Sequence, residues 1–294
     1  MTERDAVRPV KTNHAKPSVI VILVSFLLAF VGALFGFSQE SPVDTGLKLS
    51  EIPEFSGTPY YVVNQNQPSF SKQDYVSYSF ETYGELDELG RCTAVMASVG
   101  RDLMPNTSRE NISHVRPSGW KTVQYEFVDG KSLYNRCHLI GFQLSGENAN
   151  EKNLITGTRF MNVDGMLPFE NMVADYVKET GNHVLYRVTP IFQSTELVAR
   201  GVQLEGWSVE DAGLGICLNV FVYNNQPGVV INYATGDSKL IKGYCYVLNL
   251  STHKFHEADC TSVPKIQNAN KELYFDDRDE LLRKGFSPCS ACKP

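Results

Sequence analysis

The sequence predicts a mixed α+β protein with a largely antiparallel sheet, and three observations carry that prediction. Runs rich in β-branched and aromatic residues follow one another at short intervals between residues 183 and 231. One segment, opening at Pro168, has apolar residues at 169, 172, 173, 176 and 177, which is helical spacing. An apolar content of 42% over 294 residues argues for a packed core, with room for one good-sized domain and a small one.

Residues 1–17 form a polar start containing Arg4, Arg8, Lys11 and Lys16. Ser18 to Phe37 then runs for twenty residues without a charge. As a helix this stretch rises about 30 Å, the thickness of a bilayer's hydrocarbon core. The basic flank places the first residues in the cytoplasm and everything after residue 37 outside, as a single-pass membrane anchor. The alternative is a signal peptide whose cleavage releases a secreted protein, but Leu34 to Ser38 offers no clear small-residue cleavage site.

Residues 38–54 are polar with two prolines and predict a linker. The main domain is expected over 55–240. Tyr60 to Val63 and Thr93 to Ala97 suit short strands, and Asp74 to Leu89 is mixed, with room for a helix. Arg101 to Gly119 is irregular and long enough to be a binding loop, and it leads to the run 122–127. The Pro168 helix should end at Gly181, a residue suited to a C-terminal cap. Residues 183–192, 198–207, 216–223 and 229–231 follow as successive strands.

A net charge of −6 and a pI near 5.6 exclude a globally basic surface, so any contact with nucleic acid must come from a local cluster of Arg and Lys. Within the main domain, Tyr134 to Gly141 contains Arg136 and His138, with Asn153 and Asn162 close behind. These residue types suit phosphodiester cleavage. The histidine can take a proton from water near neutral pH, the arginine can meet phosphate oxygens with a planar fork, and an asparagine carbonyl can hold a hard divalent cation. Asn162 precedes the Pro168 helix and Glu170 lies in its first turn, where the carboxylate could orient a water on a magnesium ion. Glu170 could equally serve the helix dipole, and the asparagines could be turn or cap residues. His114 and His183 are rival bases without the same company.

The stretch Asn135-Arg136-Cys137-His138, with Asn153, Asn162, Glu170 and the strand YRVTPIF, resembles the DNA/RNA non-specific endonuclease family of ββα-metal nucleases, particularly the membrane-attached DNA-entry type. The resemblance covers roughly residues 55–240. It implies a ββα-metal nuclease core, DNA and perhaps RNA as substrates, His138 as general base, Asn162 as the single protein ligand to Mg²⁺, and Asn153 and Glu170 in supporting catalytic roles beside Arg136. Two positions depart from the family's Asp-Arg-Gly-His pattern. Asn135 replaces the aspartate, removing a charge beside Arg136. Cys137 replaces the glycine, either to pair with Cys92 or as a small buried residue. The family's further phosphate-binding arginines have Arg116, Arg159 and Arg187 as candidates here.

Seven cysteines in an extracytoplasmic chain permit disulfides, with Cys92, Cys137, Cys217 and Cys245 either bridged or simply buried. The other three belong to a second pattern over residues 243–294. His256-x3-Cys260 and Cys289-x2-Cys292 supply four ligands with short spacing in each half, matching tetrahedral Zn²⁺. A module this small has little core, and metal binding would contribute much of its folding energy. The spacing is similar to the zinc module of Ada-type DNA repair proteins. Those use four cysteines, and with His256 in place of the first, their methyl-accepting chemistry does not carry over. A disulfide from Cys260 to Cys289 or Cys292 is the competing use.

The sequence therefore predicts an anchored, metal-dependent, sequence-non-specific endonuclease. A catalytically silent nucleic-acid-binding protein on the same fold is the main alternative, kept open by the altered motif. A secreted antibacterial nuclease is a third, disfavoured by the anchor.

Overall fold

The computed structural model describes residues 46–294. The expected anchor at 18–37 lies outside the described residues, among which no helix is long and apolar enough to cross a membrane.

A six-stranded antiparallel sheet forms the body. Its strands are β1 (Tyr60–Val62), β2 (Phe80–Tyr83), β3 (Val95–Val99), β6 (Val184–Ile191), β7 (Gly201–Ser208) and β8 (Cys217–Tyr223), in the order β1-β8-β7-β6-β3-β2. Between β3 and β6 the chain makes a separate two-stranded unit of β4 (Tyr134–His138) and β5 (Leu154–Thr158). A short helix α1 (Phe142–Ser145) lies between those strands, and a π-helical turn, Met161–Met166, leads from β5 directly into α2 (Leu167–Thr180). Hairpin and helix together make a ββα unit. Beyond it lie the small ladder of β9 (Val229–Ile231) and β10 (Ser238–Leu240) and a C-terminal sheet. That sheet comprises β11 (Tyr246–Asn249), β12 (Lys254–Glu257), β13 (Lys271–Tyr274) and β14 (Ser287–Pro288), with α3 (Arg278–Arg283) between the last two.

Helix α2 packs the ββα unit onto the body. Phe169, Val173, Ala174 and Val177 are buried and join one core with Val95, Ala97 and Val99 of β3, Val184, Tyr186 and Val188 of β6, and Val220 and Val222 of β8. The helix ends as its sequence requires, with Gly181 at φ 78° and its N–H bonded to the Val177 carbonyl. Gly165 admits the close approach of the π-helical turn to β8, because a Cβ there would collide with the Val222 side chain.

Several expectations for local structure are corrected. Asp74 to Leu89 contains a strand, β2, and no helix, because Phe80 to Tyr83 pairs with Val95 to Ser98 of β3. The run 122–127 makes only an isolated bridge, Gln124 to Ser132; its apolar side chains fill a satellite cluster with Leu133, Tyr134 and Val229. The polar stretch after Cys260 forms two 3₁₀ turns and β13. Near the end of the span predicted as a linker, the Tyr223 hydroxyl donates to the Pro53 carbonyl at 2.9 Å.

All seven cysteines are free thiols. Cys92 donates to the carbonyls of Glu151 and Leu154, so the expected alternative of a Cys92–Cys137 bridge is not the one adopted.

Candidate active site

Strand β4 ends at His138, paired with Leu154 at the start of β5, and the hairpin presents the histidine to a cavity of about 360 Å³. Asn162 and Glu170 line the same cavity, with Arg109, Arg159 and Gly141. Three residues singled out in the sequence thus meet in one place because the ββα unit folds β4, the π-helical turn and the first turn of α2 around a common space.

His138 is 5% exposed. Its Nε2 lies 2.9 Å from the carbonyl oxygen of Asn148, which can only accept, so Nε2 carries the proton. Nδ1 therefore holds the lone pair, and Arg109 Nη2 donates to it at 3.2 Å. Burial, reinforced by the Arg109 charge, lowers the imidazole pKa to about 4. The ring is neutral at physiological pH, with its unprotonated nitrogen identified by its partner.

Asn162 stands in the π-helical turn with both ends of its amide held. Its Nδ2 donates to Asn135 Oδ1 at 3.2 Å, and its Oδ1 accepts from the Cys137 thiol at 3.0 Å. Asn135 Oδ1 also accepts from Arg159 Nη1 at 3.4 Å, which fixes the Asn135 amide in turn. The neutral Asn135 therefore supplies the acceptor that an aspartate would supply. Cys137 fits because the residue diagonally across the hairpin is Gly157, where a Cβ would come within 2.6 Å of the Cys137 Cβ.

Glu170 projects from α2 toward the segment after His138. Burial pushes its carboxyl up to about 7, against the opposing influences of a Gln143 hydrogen bond and the Arg109 charge. A Cβ on Gly141 would lie 2.6 Å from the Glu170 Cδ, so the glycine makes room for the carboxylate. Gly141 has φ −58° and ψ 144°, a conformation any residue adopts. Gly141→Ala should therefore fold normally and displace only the carboxylate; if Glu170 serves in a supporting role, plasmid cleavage falls about 10- to 100-fold. Paired measurements of thermal midpoint and plasmid cleavage check this; full activity would show that the Glu170 position is not needed.

Two expected site residues do not line the cavity. Asn153 is fully buried and does not line the cavity: its Oδ1 accepts from the Ile140 N–H at 2.8 Å and its Nδ2 donates to the Ile140 carbonyl at 3.0 Å, pinning the chain just after His138. Arg136 is turned away from the cavity. Its Nε donates to the Val115 carbonyl and its Nη2 to the Ser113 carbonyl, both at 2.6 Å, and the guanidinium lies 4.0 Å over the Trp120 ring. The motif arginine clamps the 113–120 loop.

Of the arginines proposed for phosphate, Arg187 is 1% exposed and ion-paired with Glu205 at 2.6 Å, which removes it from consideration. Arg116 is occupied with the carbonyls of Ser113 and Val115. Arg159 lines the cavity while paired with Asp129 at 2.7 Å. The rival base His183 is bound to Glu210 at 2.6 Å, outside the cavity, and His114 is exposed. Sequence reasoning missed Arg109, Gly141 and Asn148. The only signal for Arg109 was its place in the long irregular loop.

In the C-terminal sheet the four predicted metal ligands converge. The ligand atoms of His256, Cys260, Cys289 and Cys292 all lie within 4.8 Å of one another. The two halves meet because β14 pairs with β12 and the Cys289 N–H donates to the Phe255 carbonyl at 2.9 Å. His256 is buried with no hydrogen-bond partner for Nδ1, an orphaned nitrogen of the kind a metal satisfies. Burial, with the Lys254 charge, lowers the His256 pKa and favours the neutral ring that ligation requires.

Residues 71–209, which include His138, Asn153, Asn162 and Glu170, match the family model of DNA/RNA non-specific endonucleases. Among solved structures, NucA from Streptococcus agalactiae with a magnesium ion bound is 24% identical with a TM-score of 0.55, over 63% of this chain and 91% of that one. The same protein with no metal bound gives 24% identity and a TM-score of 0.56, over 66% of this chain and 92% of that one. At this identity the likeness establishes the fold. No curated protein matches the sequence.

Proposed function

We propose that this chain, whose residues 71–209 match the DNA/RNA non-specific endonuclease family, is a divalent-metal-dependent nuclease that hydrolyses phosphodiester bonds of DNA. One observation carries the reading: the ββα unit brings a neutral buried histidine, an oriented asparagine, a carboxylate and two arginines around one cavity. His138 Nδ1 takes a proton from water, the water oxygen attacks phosphorus, and the ester oxygen leaves as the P–O bond breaks. Arg109 and Arg159 meet the phosphate oxygens. The donor set suits a hard cation, since the Asn162 amide oxygen would hold the ion, the Glu170 carboxylate would orient one of its waters, and among the described residues no thiolate or second imidazole lines the cavity. Magnesium bound at Asn162 would supply charge stabilisation on the phosphate and the leaving oxygen.

The altered motif does not favour a silent binding protein, because Asn135 and Cys137 both hold the Asn162 amide. The C-terminal ligands fit a structural zinc, four N and S donors with no open position among them. The apolar segment at 18–37 anchors the body outside the cell membrane.

Asn162→Ala tests the metal assignment. Cleavage should fall by more than about 10²-fold, beyond what loss of a merely supporting residue costs, and raised magnesium should restore part of it. Unchanged cleavage would remove Asn162 from the mechanism.

A further inference from the structure

We propose that Arg109 latches the general base, and that a phosphate group opens the latch by taking the arginine away from His138. The inference rests on the reading of His138 as the base. Its foundation is a conflict between two hydrogen bonds. A neutral imidazole has one lone pair in the ring plane, and the Nε2 proton held by the Asn148 carbonyl places it on Nδ1. Arg109 Nη2 donates to that lone pair at 3.2 Å. A water molecule about to lose its proton needs the same lone pair, so the arginine contact and the catalytic contact exclude each other.

Phosphate resolves the conflict in favour of catalysis. Toward His138 the guanidinium is a cation making one bond to a neutral acceptor; toward phosphate it meets an anion with two parallel bonds, adding charge attraction and a second donor to the same contact. Arg109 lines the same cavity as Asn162 and Glu170, so it need not leave the pocket to make the exchange. Its guanidinium also lies 5.9 Å over the Phe142 ring, a surface along which it can shift while staying supported.

Asn148 makes the arrangement a single device. Its carbonyl fixes Nε2, and its side-chain Oδ1 accepts from the Glu110 N–H at 2.9 Å, anchoring the backbone beside Arg109. The loop that carries the latch and the group that sets the tautomer are thus held by one residue. The consequence is a base that is exposed to water only when a phosphate is in place.

The test observes Nδ1 directly, with no magnesium added and the C-terminal metal left in place, on the full chain labelled with ¹⁵N-histidine, with the His138 resonances assigned by their absence in His138→Gln. Inorganic phosphate is the first probe and thymidine 3′,5′-bisphosphate the second. In the unmodified chain, saturating probe should move the Nδ1 resonance toward that of an unbonded, unprotonated imidazole nitrogen while Nε2 stays put. In Arg109→Ala, Nδ1 should begin at the shifted position and ignore both probes. An Nδ1 signal indifferent to the substitution, or one that responds to phosphate equally in Arg109→Ala, overturns the latch. Plasmid cleavage by the unmodified chain is scored separately. A chain that cuts DNA with an unresponsive Nδ1 keeps the nuclease reading and loses the latch; a chain that never cuts but shows the exchange keeps the contact and loses the nuclease reading.

Discussion

His138→Ala lowers cleavage of plasmid DNA by about 10²- to 10⁴-fold, the range general-base catalysis contributes. The loss appears in kcat more than in KM, because the phosphate contacts belong to arginines and not to the imidazole. The substitution also leaves the Asn148 carbonyl and Arg109 without their partner, at a cost of about 1–3 kcal/mol for a buried unsatisfied group. A modest fall in thermal midpoint therefore accompanies the loss of activity, and binding of a short DNA duplex with no magnesium added, followed by fluorescence anisotropy, persists. Loss of binding in step with cleavage would mean the domain had been damaged and the base had not been isolated. His138→Gln, which retains a side-chain amide in the same space, then separates the two outcomes.

The second large effect lies in the C-terminal sheet. Stripping the proposed zinc with a strong chelator, or Cys289→Ser, should melt residues 243–294 while the six-stranded sheet keeps its structure. Structural zinc sites supply about 10–16 kcal/mol of apparent folding free energy, far more than the small apolar clusters of this module can replace. Their buried apolar members are Val247, Ala258, Val263 and Ile266, beside Cys260 and Cys289, on one side and Tyr246, Leu248, Phe255 and Leu281 on the other. Hydrogen exchange resolves the claim by segment. Protection across Tyr246–Asn249 should vanish on metal removal and return with one equivalent of zinc, while protection across Val184–Ile191 should not change. Full protection in metal-free protein would show that the four ligands are not a folding centre, and a mass two protons lighter would reveal a disulfide in their place.

Much of this architecture was legible, and the reasons differ from element to element. Helix α2 announced itself because its buried positions repeat at helical spacing between a proline and a glycine. Strands β6, β7 and β8 were legible because they are buried over most of their length, so β-branched and aromatic residues dominate them. Strands β4 and β5 gave no such signal. The polar side chains of Asn135, Arg136 and His138 are directed to a neighbouring amide, a loop and the cavity, which breaks the apolar alternation that marks a half-buried strand. The π-helical turn that sets Asn162 has no sequence signature.

The site was legible as residue types at a spacing and less so as roles. His138, Asn162 and Glu170 could be chosen because each carries chemistry and each lies close to the others along the chain. Arg136 was chosen on the same ground, but its partners are carbonyls 21 and 23 residues upstream, a relation only the fold creates. Arg109, 29 residues before His138, reaches the base through a loop without periodicity. The His256, Cys260, Cys289 and Cys292 cluster was easier, because each half of the set is local and needs only the β12–β14 pairing to meet the other.

The most direct measurement is nicking of supercoiled plasmid by the unmodified protein and by His138→Ala, side by side, with magnesium or with EDTA. Magnesium-dependent nicking that disappears in the variant is the predicted result and places hydrolysis in the cavity beneath β4. A well-folded unmodified protein that nicks neither plasmid nor RNA with any divalent ion, or a variant that nicks as fast as its parent, would contradict the account.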